Sequence, residues 1–427
     1  MRKNIIIIFS IAFILIIPNS LAVLSINTNK RTLDYNSPFI TLIASDGEKN
    51  DWFGYSVDID GDYAIIGAHN DDDRGEDTGA AYIFKRTDDE WLEQAKLTAS
   101  DGSPGDAFGY SVAIDGDYVI IGAALDDDYG IESGSAYIFK RNGSTWNQQS
   151  KIASSDVVKH FDLFGCSVSI DEDYAVVGAR NDNLLKGAVY IFKRDGETWY
   201  QQQKLTSPLS FSTLFFMQGL VLGNEFGCSV SIDGGYVLIG AMGDDSFNGL
   251  DAGAAYVFKR NGEKWFRQTK ITASKGLFFR HMDNYFGCSV SLDGDRALIG
   301  AYGEQVDGIP AGAAYVFERQ GKRWIEQDRL VASNREFTED FGYSVSLDGE
   351  YALVGDPHFL QGSINKGAAY IFKRNGDIWV EQELLVAGYV HAFGWFVSLD
   401  GGNALIGAWG DRVNDVKTGS AYLFNIT

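Results

Sequence analysis

Residues 53–68 read FGYSVDIDGDYAIIGA, and the same stretch returns six more times in edited form. The copies begin at Phe108 (FGYSVAIDGDYVIIGA), Phe164 (FGCSVSIDEDYAVVGA), Phe226 (FGCSVSIDGGYVLIGA), Phe286 (FGCSVSLDGDRALIGA), Phe341 (FGYSVSLDGEYALVGD) and Phe393 (FGWFVSLDGGNALIGA). The seven phenylalanines recur every 52 to 62 residues, and such a period in a strand-rich chain predicts a propeller or array.

Within the first copy, Phe53, Tyr55, Val57 and Ile59 alternate with Gly54, Ser56 and Asp58, the period-two pattern of a strand with one bulky and one small face. Asp60-Gly61 supplies a tight hairpin turn, because this pair tolerates positive φ. A second strand follows over Tyr63 to Ala68, a third over Ala80 to Lys85, and Trp91 opens a fourth. Each repeat is thus expected to be a four-stranded antiparallel meander, and a ring of such sheets packed face to face buries what none can bury alone. The last repeat stops after its third strand, SAYLFNIT, whereas residues 38–46, PFITLIASD, match the fourth-strand ending KLTASD at 96–101. The expected fold is therefore an all-β, seven-bladed propeller over residues 38–427, closed by an N-terminal strand that completes the last blade and covers its edge.

The Phe-Gly opening and Gly-Ala ending resemble FG-GAP repeats, the blades of the integrin α-subunit propeller and of many secreted microbial proteins. The resemblance spans residues 38–427 and implies a secreted or cell-surface binding module. One departure matters: the Asp-x-Asp-x-Asp-Gly calcium loop between the first two strands is reduced here to turns such as Asp60-Gly61-Asp62. Calcium at that family position is not carried over.

The 427 residues carry a net charge of −22, which argues against nucleic acid as a partner. Arg2 and Lys3 precede an apolar run from Ile5 to Ile17, followed by Ser20-Leu21-Ala22, the pattern of an export signal over residues 1–22 with a linker over 23–37. The expected location is extracytoplasmic, with cleavage or retention of the signal open.

In a meander, the loops from strand two to three and from blade to blade emerge on one side, and the hairpin turns on the other. All the length variation lies with the former, the upper face, and binding residues concentrate on variable loops held by a rigid scaffold. Two patches fall there. The acidic one contains Asp71-Asp72-Asp73 with Glu76 and Asp77, Asp126-Asp127-Asp128 with Glu132, and Asp244-Asp245 with Asp251. Carboxylates ~6 Å apart in water repel by roughly 0.7 kcal/mol per pair, so these loops gain from a cation or a basic partner. The candidate metal ligands are Asp71, Asp73, Asp126, Asp128, Asp244 and Asp245, with calcium the ion of matching chemistry and a solvated acidic loop the simpler reading. The apolar patch lies in PLSFSTLFFMQGLVLGN, residues 208–224, and in the next connection. Phe211, Phe215, Phe216, Phe278 and Phe279 are the candidate partner or membrane contacts; the alternative is a cover packed over the central channel.

Cys166, Cys228 and Cys288 take the position after Phe-Gly in three successive blades, where other copies carry Tyr or Trp. Equivalent positions on separate inner strands are expected to be too far apart for disulfides, leaving buried thiols. The five histidines fall in upper-face loops and are expected to be ordinary loop residues, and the Trp repeated at 91, 146, 199, 265, 324 and 379 is expected to pack the outer strand. No catalytic motif appears. The leading reading is a non-catalytic adhesion or protein/glycan-binding module; the alternative is an extracytoplasmic propeller hydrolase or lyase acting on a polysaccharide, which histidines and acids converging on a cleft at the channel mouth would favour.

Overall fold

The computed structural model describes residues 38–88, 90–155, 160–207, 223–244, 252–273, 284–334, 340–361, 364–388 and 390–426. Seven four-stranded antiparallel sheets follow one another, each in sequential order from the innermost strand outward except the last. In blade one the strands are Ser56–Asp60, Tyr63–Ala68, Ala80–Thr87 and Glu90–Leu97. Blade seven has Val397–Asp400, Asn403–Ala408 and Ser420–Asn425, and takes its outer strand from Phe39–Leu42. That strand pairs antiparallel with Ser420–Asn425, setting Phe39 opposite Phe424 and Leu42 opposite Ala421. The ring closes as the sequence predicts.

The Phe-Gly pair precedes the inner strand of blade one instead of opening it. Phe53 forms a separate bridge to Gly419 of blade seven, Phe108 to Gly79 of blade one, and the same parallel bridge recurs at every blade junction. All seven of these phenylalanines are fully buried. Gly54 has φ 86°, and a Cβ there would lie 2.1 Å from the Ser420 carbonyl oxygen; a Cβ on Gly67 would meet the Gly109 carbonyl oxygen at the same distance. The glycines at both ends of the motif are therefore the points where neighbouring blades touch backbone to backbone.

Small polar side chains on the inner strands do more than leave space. An innermost strand has one free edge, whose amides need acceptors. Ser229 and Ser231 accept from the Val290 and Leu292 amides at 3.0 Å, and Ser344 and Ser346 accept from Val397 and Leu399 at 2.9 Å. The Asp ending each inner strand reaches the turn of the following blade: Asp60 accepts from Gly116, Asp115 from Glu172, Asp171 from Gly234 and Asp233 from Gly294. Asp293, Asp348 and Asp400 continue the series to Gly349, Gly401 and Gly61, with N···O distances of 2.5 to 2.9 Å around the circle. The Asp-Gly turn that looked like a shortened metal loop is a tie between blades, and it fixes the lower face.

The hydrophobic core lies between the blades. Tyr63 and Ile65 of blade one pack with Phe108, Val112 and Tyr137 of blade two, and equivalent clusters repeat around the ring. The repeated Trp residues are buried as expected. Trp146 packs edge-on against Tyr63 of the preceding blade at 6.1 Å and donates its indole N–H to Gln94. No helix among the described residues is long and apolar enough to cross a membrane.

Candidate functional site

On the upper face, the acidic residues converge on cations supplied by the chain. Asp71 is buried, and Asp73 joins it together with Asp46 from the segment after the closing strand; ligand atoms of the three lie within 4.8 Å of one another. Lys96 reaches all three, with Nζ 2.8 Å from Asp71, 2.9 Å from Asp46 and 2.5 Å from Asp73. Tyr82, directly across the sheet from Lys96, places its hydroxyl 2.7 Å from Asp71. Burial works against the ammonium, but hydrogen bonds to Asp71, Asp73 and Asp46 outweigh it and hold the Lys96 pKa above its ordinary value.

The arrangement repeats. Lys151 lies 2.9 Å from Asp126 and 3.0 Å from Asp101 and also pairs with Asp128. Lys204 pairs with Asp182 at 2.7 Å, Lys270 with Asp244 at 2.6 Å and Arg329 with Glu304 at 2.9 Å. Because Asp46 and Asp101 come from the preceding outer strand's end, the Lys96 and Lys151 clusters also tie one blade to the next. Of the predicted metal ligands, Asp71 with Asp73 and Asp126 with Asp128 are thus brought together around a lysine, and Asp244 joins Lys270. Asp245 lies outside the described residues, as do Phe211, Phe215, Phe216, Phe278 and Phe279.

Sequence reading missed the basic partners and the acids Asp182, Glu304 and Asp411. The signal is periodic: an acid stands three residues after the Gly-Ala (or Gly-Asp) ending in six of seven repeats, and a Lys or Arg faces the third-strand Tyr in five.

At the channel mouth, the position after Phe-Gly divides the ring into two sectors. Blades six, seven, one and two contribute Tyr343, Trp395, Tyr55 and Tyr110 as a chain of touching rings, with centroids 4.8, 6.2 and 5.3 Å apart in that order. Blades three, four and five contribute Cys166, Cys228 and Cys288. All three are free, and their thiols point to the carbonyl oxygens of Gly227, Gly287 and Gly342 at 3.6, 3.4 and 3.3 Å. Burial pushes all three thiols up, Cys288 to about 12. Together with the serines, the three cysteines and Tyr55, Tyr110 and Tyr343 line a central cavity of about 300 Å³.

One histidine, His69, departs from the expectation of an ordinary loop residue. His69 is buried against Tyr55, Trp52 and Tyr110, and burial lowers its pKa to about 3, so it is neutral. His160 accepts from the Ile131 amide, and His281 lies outside the described residues. His358 pairs through Nδ1 with Asp340, and His391 lines a second cavity, of about 350 Å³, with His358, Trp395, Trp409, Arg412 and Lys417. This cleft is assembled from upper-face loops of blades six and seven. Its wall continues into blade one, where Trp52 lies 4.8 Å from Trp409 between centroids, while Trp395 meets Trp409 edge-on at 5.5 Å. Lys417 sits over Trp409 at 4.4 Å and Trp52 at 5.8 Å.

A closed ring of seven four-stranded blades, tied by Phe-Gly bridges and carrying its variable loops on one face, defines a β-propeller of integrin α-subunit type. The FG-GAP repeat model matches residues 39–84, 91–139, 146–192, 222–258, 265–317, 324–372 and 379–424, one match per blade, and the chain belongs to that family. No curated protein matches the chain in sequence.

Proposed function

We propose that the chain acts outside the cytoplasm as a non-catalytic binding module, engaging a protein or glycan through its upper face. The observation that carries this reading is the contrast between the two faces. On the lower face, every inner-strand Asp is committed to a neighbouring blade's turn. On the upper face, loop length and composition diverge from blade to blade while lysine clusters hold the loop bases in place. Such a division suits a rigid frame presenting variable contacts. In this reading the chain's own lysines neutralise the acidic loops, and calcium is dispensable for binding.

The test is binding of the full chain to its native cell surface, compared between two sets of variants. Charge-reversing substitutions in upper-face loops should abolish binding, and equal numbers in the lower turns should leave it intact; the opposite pattern removes the proposal. A second reading, a polysaccharide hydrolase or lyase, draws support from the His358–Asp340 pair and His391 beside one cleft. Release of reducing ends or unsaturated products from a polysaccharide, lost in His358→Ala, would favour it.

A further inference from the structure

The cleft beside Trp395 and Trp409 combines features that the scaffold does not explain. Arg412 and Lys417 are neighbours in one loop, and the charge that lowers the Lys417 pKa, after burial, is that of Arg412. Two adjacent cations repel, and at five other places on this face a basic side chain pairs with a carboxylate, Lys96 among them. Here Arg412 Nη1 donates to the Asp415 backbone carbonyl oxygen at 3.1 Å, and no ion pair joins Arg412 or Lys417 to a carboxylate among the described residues. Asp340 pairs with His358, and Asp411 accepts from Ser420 and Tyr422 at 2.6 Å each. In a chain of net charge −22, a local pair of cations without a carboxylate partner among the described residues is a site prepared for an anion.

The second feature is aromatic. Three indole rings, Trp52, Trp395 and Trp409, meet at this point with tilted and edge-on geometry. The buried Nε1 atoms of Trp395 and Trp409 have no hydrogen-bond partner. Buried indole N–H groups ordinarily find an acceptor, and these two have none among the described residues. A ligand that suits this lining has a C–H face to lie against the indole cluster and a negative charge for Arg412 and Lys417.

We propose that this cleft binds a carboxylated sugar residue, either as a free uronic acid or within an acidic glycan chain. The proposal rests on the binding-module reading and names its ligand. The cavity of about 350 Å³ is at the lower end of the range for small-ligand pockets and suits one or two sugar rings. An acidic peptide fits less well, because the lining residues lie in loops and turns and offer no strand edge to pair with a peptide backbone.

Calorimetry on the full chain tests it with D-glucuronate, D-galacturonate, a short oligogalacturonide, glucose and a poly-glutamate peptide. A uronate or its oligomer should bind, glucose should bind at least tenfold more weakly, and raising the salt concentration should weaken the interaction. Tighter binding of the oligomer than of either monomer would identify the polymer as the source; equal affinity would identify the free sugar. Arg412→Gln with Lys417→Gln should lower uronate affinity at least tenfold. Because Trp409→Ala could disturb folding, the exposed Arg412 and half-buried Lys417 serve as the decisive pair, with the melting temperature checked. Equal binding of glucose, binding of poly-glutamate instead, or uronate binding unchanged in the double variant overturns the proposal. If the double variant still binds the native surface and no uronate binds, the ligand assignment fails while the binding-module reading stands.

Discussion

Asp400, at the end of the last blade's inner strand, accepts a hydrogen bond from the amide of Gly61 in the first blade at 2.8 Å, across 339 residues of sequence. The same contact joins every other pair of adjacent blades, so the seam where the ring closes is built like its other junctions on this face. A neutral hydrogen bond contributes about 1 kcal/mol and a charged acceptor somewhat more, so Asp400→Ala and Asp171→Ala should each cost about 1 to 2 kcal/mol in urea unfolding. The two sites are on separate junctions, and the double variant should show the sum of the single effects. A clearly larger loss at Asp400 than at Asp171 would mean that the seam is a weak point.

Lys96 stands where an ion would be expected, among Asp46, Asp71 and Asp73. Lys96→Met leaves buried Asp71 without its counter-charge and should destabilise the fold by about 3 kcal/mol. Adding Asp71→Asn should restore part of that loss. The wild-type melting temperature should be the same in calcium and in chelator, whereas Lys96→Ala should gain stability from calcium as the three carboxylates become available. A calcium-dependent wild type would show that lysine does not fill this role.

Two buried acids, Asp51 and Asp106, and two half-buried ones, Asp58 and Asp171, contribute most visibly to the pH response. Asp51, Asp58, Asp106 and Asp171 are each raised to about 6, chiefly by burial. An acid with a folded pKa above its unfolded value near 3.8 holds its proton in the folded state between about pH 4 and 6. Its ionisation therefore costs stability as the pH rises through 6. Asp46 and Asp101 are shifted the other way: burial raises them, but their bonds to Lys96 and Lys151 bring them below the ordinary value, so their contribution is lost only at lower pH. Melting temperature should increase by a few degrees from pH 7.5 to 5.5, and Asp58→Asn should flatten the slope. A curve that falls over this interval refutes the assignment.

The three thiols should be silent in the folded protein. With Cys288 pushed to about 12 and Cys166 and Cys228 also raised by burial, the reactive thiolate is scarce at pH 8. A thiol reagent should label none rapidly in the native state and all three after denaturation. Fast native labelling of any one would show that the channel opens around it.

The ring was legible in the sequence because its evidence is local and repeated: alternating residues, Asp-Gly turns and a displaced outer strand at residues 38–46. The acidic clusters were half legible. Asp71 and Asp73 are adjacent in sequence, but Lys96 joins them only through the register that sets it opposite Tyr82, which no local pattern displays. The role of Asp60 was hidden for the same reason, since its partner Gly116 belongs to the following repeat. The aromatic cleft was not legible at all. Trp52 comes from one end of the chain and Trp395 and Trp409 from the other, and only ring closure makes them neighbours. His69 is buried by Trp52 and Tyr55 of its own blade and Tyr110 of the next, contacts its loop position does not display.

The closing strand also imposes an order on biosynthesis. Phe39–Leu42 is synthesised about 380 residues before its partner Ser420–Asn425. At about 5–20 residues per second, this segment waits on the order of 20 to 80 seconds with its apolar side chains unpaired. A chain cut short before Ser420 never receives that partner. Ring closure therefore acts as a check on synthesis: only a chain that has reached Asn425 can pair both the closing strand and the edge that strand covers.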